Sequence, residues 1–157
     1  PYFHTSFRTR ERIAQLALLD VSGTPVLVCN VHLDVRVNLM ERIEQLKPVL
    51  TQLNQYPTEH IIIAGDFNTT PMFWYKRAVP VLVRNQQKGF RCFMEELGFT
   101  ATPQKRGHSF RAGPIPLHLD EIYVKGLAMR EAGVAKDIRL SDHKPLWAQI
   151  EHHTPNS

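Results

Sequence analysis

Only two cysteines, Cys29 and Cys92, occur in this 157-residue chain. That is too few for a disulfide framework, and their spacing matches no zinc site. Cys29 lies in the apolar run PVLVCNV, where a buried thiol is expected, so a reducing compartment, the cytoplasm, is the expected location. Long hydrophobic runs are missing as well. None approaches the roughly 20 residues of a membrane span, and the opening PYFHTSFRTRER lacks the apolar centre of a signal peptide. An initial Met is also missing, which fits processing or a place within a longer chain. No internal repeat and no low-complexity linker is present.

What remains is an ordinary globular composition, 43% hydrophobic and 22% charged. A chain of this length makes one domain that buries about 68–70% of its unfolded surface. Residues 1–151 are read as that domain and 152–157 as a frayed tail. The net charge is +4 but unevenly spread. Lys76, Arg77, Arg84, Lys88, Arg91, Lys105, Arg106 and Arg111 face only Glu95 and Glu96, a local excess of six positive charges. Such a segment is either a solvated surface or the footprint of an anionic partner.

The pattern interleaves strands and helices. RIAQLALLDV and PVLVCNVHLD, separated by SGT, predict a hairpin. Leu39, Ile43, Leu46, Leu50 and Leu53 recur at helical spacing over 37–54, with Pro48 expected to kink or split that helix. HIIIAGDFN predicts a short buried strand. MFWYKRAVPVLV and KGFRCFMEEL predict helices, the second stopped by Gly98. HSFRAG, LDEIYVKG and KPLWAQIE predict strands. Three helical segments among about seven strands define an α/β (α+β) class with a mixed β-sheet and flanking helices.

Alternation places the polar residues. In VCNVHLD, Asn30, His32 and Asp34 share one side of a strand, with Cys29, Val31 and Leu33 on the other. In GDFN the same rule puts Asp66 and Asn68 together and turns Phe67 away. Asp120 enters the apolar strand LDEIYV, and SDHKP sets Asp142 and His143 before the last strand. Singly, each is an ordinary turn, cap or surface residue: Asn68 suits an Asx-turn, and Thr70 with Pro71 suits a helix start. Together, four polar strand ends are how an active site sits at the edge of a rigid sheet.

In their order, NVHLD (30–34), RIEQL (42–46), AGDFNTTP (64–71), LHLDEIYVKG (117–126) and SDHKPLWAQI (141–150) resemble the endonuclease/exonuclease/phosphatase superfamily. That superfamily includes DNase I-like nucleases, abasic-site endonucleases, sphingomyelinases and inositol-polyphosphate phosphatases. The resemblance implies half of a four-layer α/β/β/α sandwich and metal-dependent hydrolysis of a phosphoester. It assigns Asp66 to orienting or deprotonating the attacking water and Asn68 to the phosphoryl oxygen and nucleophile. His143 takes the developing charge, Asp120 holds that imidazole in its tautomer, and His32 touches the phosphate or assists the leaving group. Asp142, with Asp66, stands near the metal. Asn30, Arg106 and Arg111 are expected to bind substrate, the two arginines from the loop KRGHSFRAGPIPLH.

The chemistry asks for these types in any case. An anionic phosphoester needs a positioned water, donors at its non-bridging oxygens and a cation for the growing charge. Mg²⁺ is the expected cofactor, with Mn²⁺ as a substitute, because it takes a few carboxylates and keeps its waters. No Cys/His cluster points to zinc. Two departures accompany the resemblance. The early Asn and the Glu that is the family's main metal ligand have no counterpart, since the only acids before NVHLD are Glu11 and Asp20. The chain is therefore expected to be a C-terminal half, weak or inactive alone, with an apolar sheet face that a missing half or another chain covers. Glu121 also stands where many relatives have an aromatic. Three functions are open: a phosphodiester-cleaving nuclease whose partner is nucleic acid; a phosphatase or phospholipase of small or lipid phosphoesters; and a non-catalytic remnant that binds nucleic acid or a partner.

Overall fold

The computed structural model describes residues 12–75, 79–83, 85–103, 107–138 and 141–151. β1 (Ala14–Val21) and β2 (Thr24–His32) form the expected hairpin in unbroken antiparallel register. Ser22 and Gly23 take the turn with φ of 52° and 84°, the left-handed pair whose twist matches the strands it joins. α1 (Leu39–Leu53) begins at Asn38, whose side chain accepts from the Glu41 N–H while Glu41 accepts from the Asn38 N–H, each at 3.0 Å. This reciprocal cap satisfies two donors that a helix start leaves orphaned. The helix runs through Pro48 as one element, so the expected split does not occur. Pro48 is on the exposed face, where water can meet the Glu44 carbonyl that it deprives of a donor.

β3 (Ile61–Asp66) follows α1. The expected helix over 72–83 is replaced by two short antiparallel strands, β4 (Met72–Tyr75) and β5 (Val79–Leu82). Pro80 would deny a helix interior its N–H, and the β-branched Val79, Val81 and Val83 favour extended backbone. Thr70 therefore caps no helix; its hydroxyl donates to the Met72 carbonyl. α2 (Gln86–Glu96) is the second expected helix, closed by Gly98 at φ 83°. β6 (Thr100–Ala101), β7 (Phe110–Ala112), β8 (Ile115–Leu117), β9 (Asp120–Lys125), β10 (Ala128–Val134) and β11 (Leu146–Glu151) complete the chain. Two helices, not three, stand among the described residues. The tail 152–157 lies outside them.

The main sheet has the order β1-β2-β3-β9-β6 and is mixed: β2 and β3 are parallel, the other neighbours antiparallel. α1 supplies the crossover that a parallel β2–β3 pair requires. One face carries the core, where Leu27, Cys29, Ile63 and Tyr123 meet Leu46 and Leu53 of α1 and Phe90 and Met94 of α2. Each such fully buried side chain contributes roughly 1.5–3 kcal/mol. Cys29 is buried as expected, and burial pushes its thiol up to about 11. The other face carries Asn30, His32, Ala64 and Asp66. In β2, Val26, Leu27 and Val31 are buried and Val28 is half-buried. Exposed apolar residues include Leu18, Leu19 and Val21 on the edge strand, Val79 and Leu82 of β5, Ile115 of β8 and Trp147 of β11. No helix of the described residues is long and apolar enough to cross a membrane.

Candidate active site

One row of the sheet builds the site. His32, the last residue of β2, pairs with Asp66, the last of β3, and Asp66 pairs with Asp120, the first of β9. Partners in register share a face, so the three side chains stand side by side at the sheet's end. Backbone bonds extend the ladder past the row: the Leu33 N–H donates to the Asp66 carbonyl and the Phe67 N–H to the Leu119 carbonyl, both at 2.9 Å. Gly65 makes the approach possible. Its φ is 139°, and a Cβ there would lie 1.9 Å from the Val31 carbonyl oxygen.

His143 arrives from the segment before β11. Its Nδ1 lies 2.8 Å from Asp120 Oδ2 and its ring 4.7 Å from that of Phe110. The ligand atoms of Asp66, Asp120 and His143 all fall within 4.8 Å of one another. His32 Nε2 is 3.6 Å from Asp66 Oδ2. A cavity of about 330 Å³ opens beside the cluster, lined by Gly65, Asp120, His143 and Lys144 among others.

The electrostatics divide the labour. Burial, then the neighbouring Asp120 charge, raises the Asp66 pKa; the Asn68 N–H and the two histidines pull it back only in part. Burial alone would lower the His143 pKa, but the hydrogen bond to Asp120 and the charges of Asp120, Asp66 and Asp142 outweigh it and raise it. The arrangement is thus a carboxylate of increased basicity beside an imidazole that a second carboxylate orients and whose protonated form it favours.

The other expected residues lie as follows. Asn68 is 5% exposed with φ 50°; its backbone N–H donates to Asp66 Oδ1 at 2.9 Å and its side-chain amide to the Leu33 carbonyl at 2.9 Å. It therefore fixes Asp66 and ties the ends of β2 and β3 together. Phe67 turns away as expected and packs on Phe90 and Tyr123. Asn30 is exposed on the His32 face, 3.5 Å from Gln15 Oε1. Asp142 is exposed, accepts from Ser141 and is not among the converging ligand atoms. Arg111 is exposed on β7, where its Nε donates to His108 Nε2 at 3.0 Å. Arg106 lies outside the described residues. Asp34 does not join His32: it is past the end of β2, buried, and bound by Arg36 at 2.6 Å, with Arg12 at 3.7 Å.

Several residues that shape the site carry little signal on their own. Glu121 is 4% exposed on the core face of β9, where it pairs with Arg91 of α2 at 3.2 Å and accepts from Thr102. A largely buried cation thus faces this acid across the α2–β9 contact. Arg91 is thereby removed from the basic surface to which it was assigned. Ser109 Oγ accepts from the N–H groups of Leu119 and Asp120, fixing the start of β9. RIEQL anchors the loop after β2: buried Arg42 donates to the Asp34 and Val37 carbonyls and to Gln86 Oε1, and Gln45 accepts from the Asp34 N–H. Gln86 in turn donates to the Thr70 carbonyl. A charged residue on the apolar stripe of α1 was the available sign.

Sheet, site row and motif order together are those of a DNase I-like α/β fold. The chain belongs to the Endonuclease/Exonuclease/phosphatase family, whose model matches residues 3–143. It is 28% identical over 151 residues to a UPF0294 protein of Erwinia tasmaniensis, covering 93% of this chain and 50% of that one. An endonuclease/exonuclease/phosphatase of Bacteroides vulgatus superposes with a TM-score of 0.68 at 19% identity, covering 90% of this chain and 56% of that one. D. rerio TDP2 complexed with a single-strand DNA product gives 0.61 at 16%, covering 89% and 62%. The chain thus spans about half the length of the relatives it matches.

Proposed function

We propose that this chain carries the catalytic edge of a divalent-metal-dependent phosphoesterase whose substrate is a phosphodiester of nucleic acid. The observation that carries the reading is the convergence of Asp66, Asp120 and His143, with His32 beside them, at the end of three registered strands. Asp66 holds a water and draws off its proton; its raised basicity suits that task. Asn68 keeps Asp66 in place through its backbone N–H. The His143 imidazolium, with Nδ1–H donated to Asp120, presents its other nitrogen to a non-bridging phosphate oxygen and stabilises charge as it grows. His32 stands where it can contact the phosphate or the departing oxygen. Asn30 and Arg111 lie further out and bind flanking parts of the substrate.

Two adjacent carboxylates that raise each other's energy are a fitting place for a hard cation, and Mg²⁺ accepts few protein oxygens when waters and phosphate complete its shell. Asp66 would hold it, with Asp120 alongside. When bound, such an ion neutralises phosphate charge and lowers the pKa of water. Asp142, exposed and bonded to Ser141, is left to the outer field of the site. A nuclease is favoured over a small-molecule phosphatase by the basic excess that remains between residues 76 and 111 once Arg91, paired with Glu121, is set apart. The reading also places the chain in the cytoplasm and, alone, makes it a weak catalyst whose exposed edge strand is covered by further chain.

The test is turnover of bis(p-nitrophenyl) phosphate and of single-stranded DNA with Mg²⁺ or Mn²⁺, by the 157-residue chain and by the longest product of its gene. Asp66→Asn and His143→Ala are each expected to lower the rate by at least about 100-fold. Near-parental rates in both variants would remove these residues from the chemistry.

A further inference from the structure

Beside the candidate catalytic cluster, Arg111, given above only a general part in holding the substrate, meets two side chains that the reaction described above does not use, His108 and Lys144. His108 Nε2 accepts from Arg111 Nε at 3.0 Å and lies 3.2 Å from Lys144 Nζ. One lone pair thus gathers two cations, and exposed Lys136 adds a third positive charge to the field around the ring. Like charges held this close repel, and among the described residues no carboxylate forms an ion pair with Arg111, Lys144 or Lys136. The frame is rigid. The Lys144 N–H donates to the Ser109 carbonyl at 2.7 Å, and Ser109 is tied to Leu119 and Asp120. Phe110, between His108 and Arg111 in sequence, packs on the His143 ring. Lys144 follows His143 directly and lines the same cavity.

Resting on the phosphoesterase reading, we infer that His108, Arg111 and Lys144 form a second phosphate site, which takes a non-scissile phosphate next to the one held at His143. Arg111 supplies planar donors and Lys144 a compact charge, the two complementary ways of holding a phosphate. An anion between them relieves their repulsion. His108 acts as a neutral acceptor that aims both cations and, when the anion arrives, can itself become a donor. Burial and the charges of Lys144, Arg111 and Lys136 keep its pKa below the ordinary value, so the vacant state is the accepting one. A substrate with phosphates on successive units, a polynucleotide strand, spans both sites; a lone phosphoester fills only one. The source of the phosphate, free or within a strand, is separated by the probes below.

The test is a ¹³C-imidazole NMR titration of the full chain with inorganic phosphate and, separately, with a short single-stranded oligonucleotide. Binding is expected to move the His108 resonances and raise its pKa by about half a unit or more, because an added negative charge favours the protonated form. Lys144→Met and Arg111→Gln are each expected to weaken the His108 response about 10-fold while the His143 resonances still titrate with phosphate. A response of His108 to the oligonucleotide at lower concentration than to phosphate marks a strand-borne ligand; the reverse order marks a free phosphate, and both support the site. Phosphate that perturbs His143 but not His108, or a His108 response that survives both substitutions, overturns the inference. Hydrolysis lost in Asp66→Asn with a silent His108 would leave the phosphoesterase standing and sink only the second site.

Discussion

Arg91→Met tests why an acid is buried directly beside Asp120 of the candidate site. Glu121 keeps 5% of its side-chain surface and Arg91 14%. Arg91 also donates to the Thr102 carbonyl at 2.9 Å. Removing the cation takes from the Glu121 carboxylate the guanidinium that faces it under α2, while the Thr102 hydroxyl still donates to it. Breaking one partner of a buried pair costs about 3–5 kcal/mol, because desolvation of the other is left uncompensated. For a domain of this size that is a fall in Tm of roughly 6–20 °C. The reverse change, Glu121→Leu, is expected to cost less, about 1–3 kcal/mol, since the guanidinium has a path to water that the carboxylate lacks. The double variant replaces the pair with apolar volume and is expected within about 1 kcal/mol of the parent. Urea unfolding followed by circular dichroism gives all four corners of the cycle. A loss below about 1 kcal/mol in Arg91→Met, or a double variant no more stable than that single, would show that the pair does not hold α2 to β9.

Asp120→Asn is expected to move both limbs of the activity–pH profile downward. Its charge raises the pKa of Asp66, ionised in the proposed reaction, and of His143, protonated in it; a profile that keeps its basic limb would refute the link. The same variant bears on stability. A His143 pKa raised by folding stabilises fully below its unfolded value of about 6.5 and ceases to as pH rises through the folded value. Unfolding at pH 5.5 is therefore expected to show a larger penalty than at pH 9. Gly65→Ala is expected to cost at least about 2 kcal/mol by urea titration, since its Cβ meets the Val31 backbone and its φ suits glycine. Asn38→Ala, which removes the cap of α1, is expected to cost about 1 kcal/mol by the same measurement, with little change in turnover.

The strands that carry chemistry were legible because alternation is a local rule. Asp66 and Phe67 take opposite faces, and the same rule puts Glu121 in the core once Asp120 is assigned to the site. The partner of Glu121 was not legible, since Arg91 lies thirty residues away and reaches it only through the docking of α2. The segment 72–82 was misread because nearly every residue is apolar, which hides period; Pro80 and the alternate valines held the answer. Asp34 was placed with His32 by carrying alternation past the strand's end, where the chain turns and Arg36 draws the carboxylate inward. Register was beyond any local pattern. That β9 lies between β3 and β6, with Asp120 opposite Asp66, is settled by long-range pairing alone.

That pairing has a consequence for how the molecule tolerates change in length. A single residue inserted into β3 would reverse its faces, sending Asp66 toward Phe90 and presenting Phe67 to the water at the site. No intermediate placement exists, so a frame change of this kind ends folding and chemistry in one stroke. At the tip of the β7–β8 hairpin, around Gly113 and Pro114, the chain turns in solvent and the row of His32, Asp66 and Asp120 does not depend on its length. Insertions there lengthen a finger without disturbing the sheet, and a lineage built on this scaffold has that hairpin as its free place to experiment with what it grips.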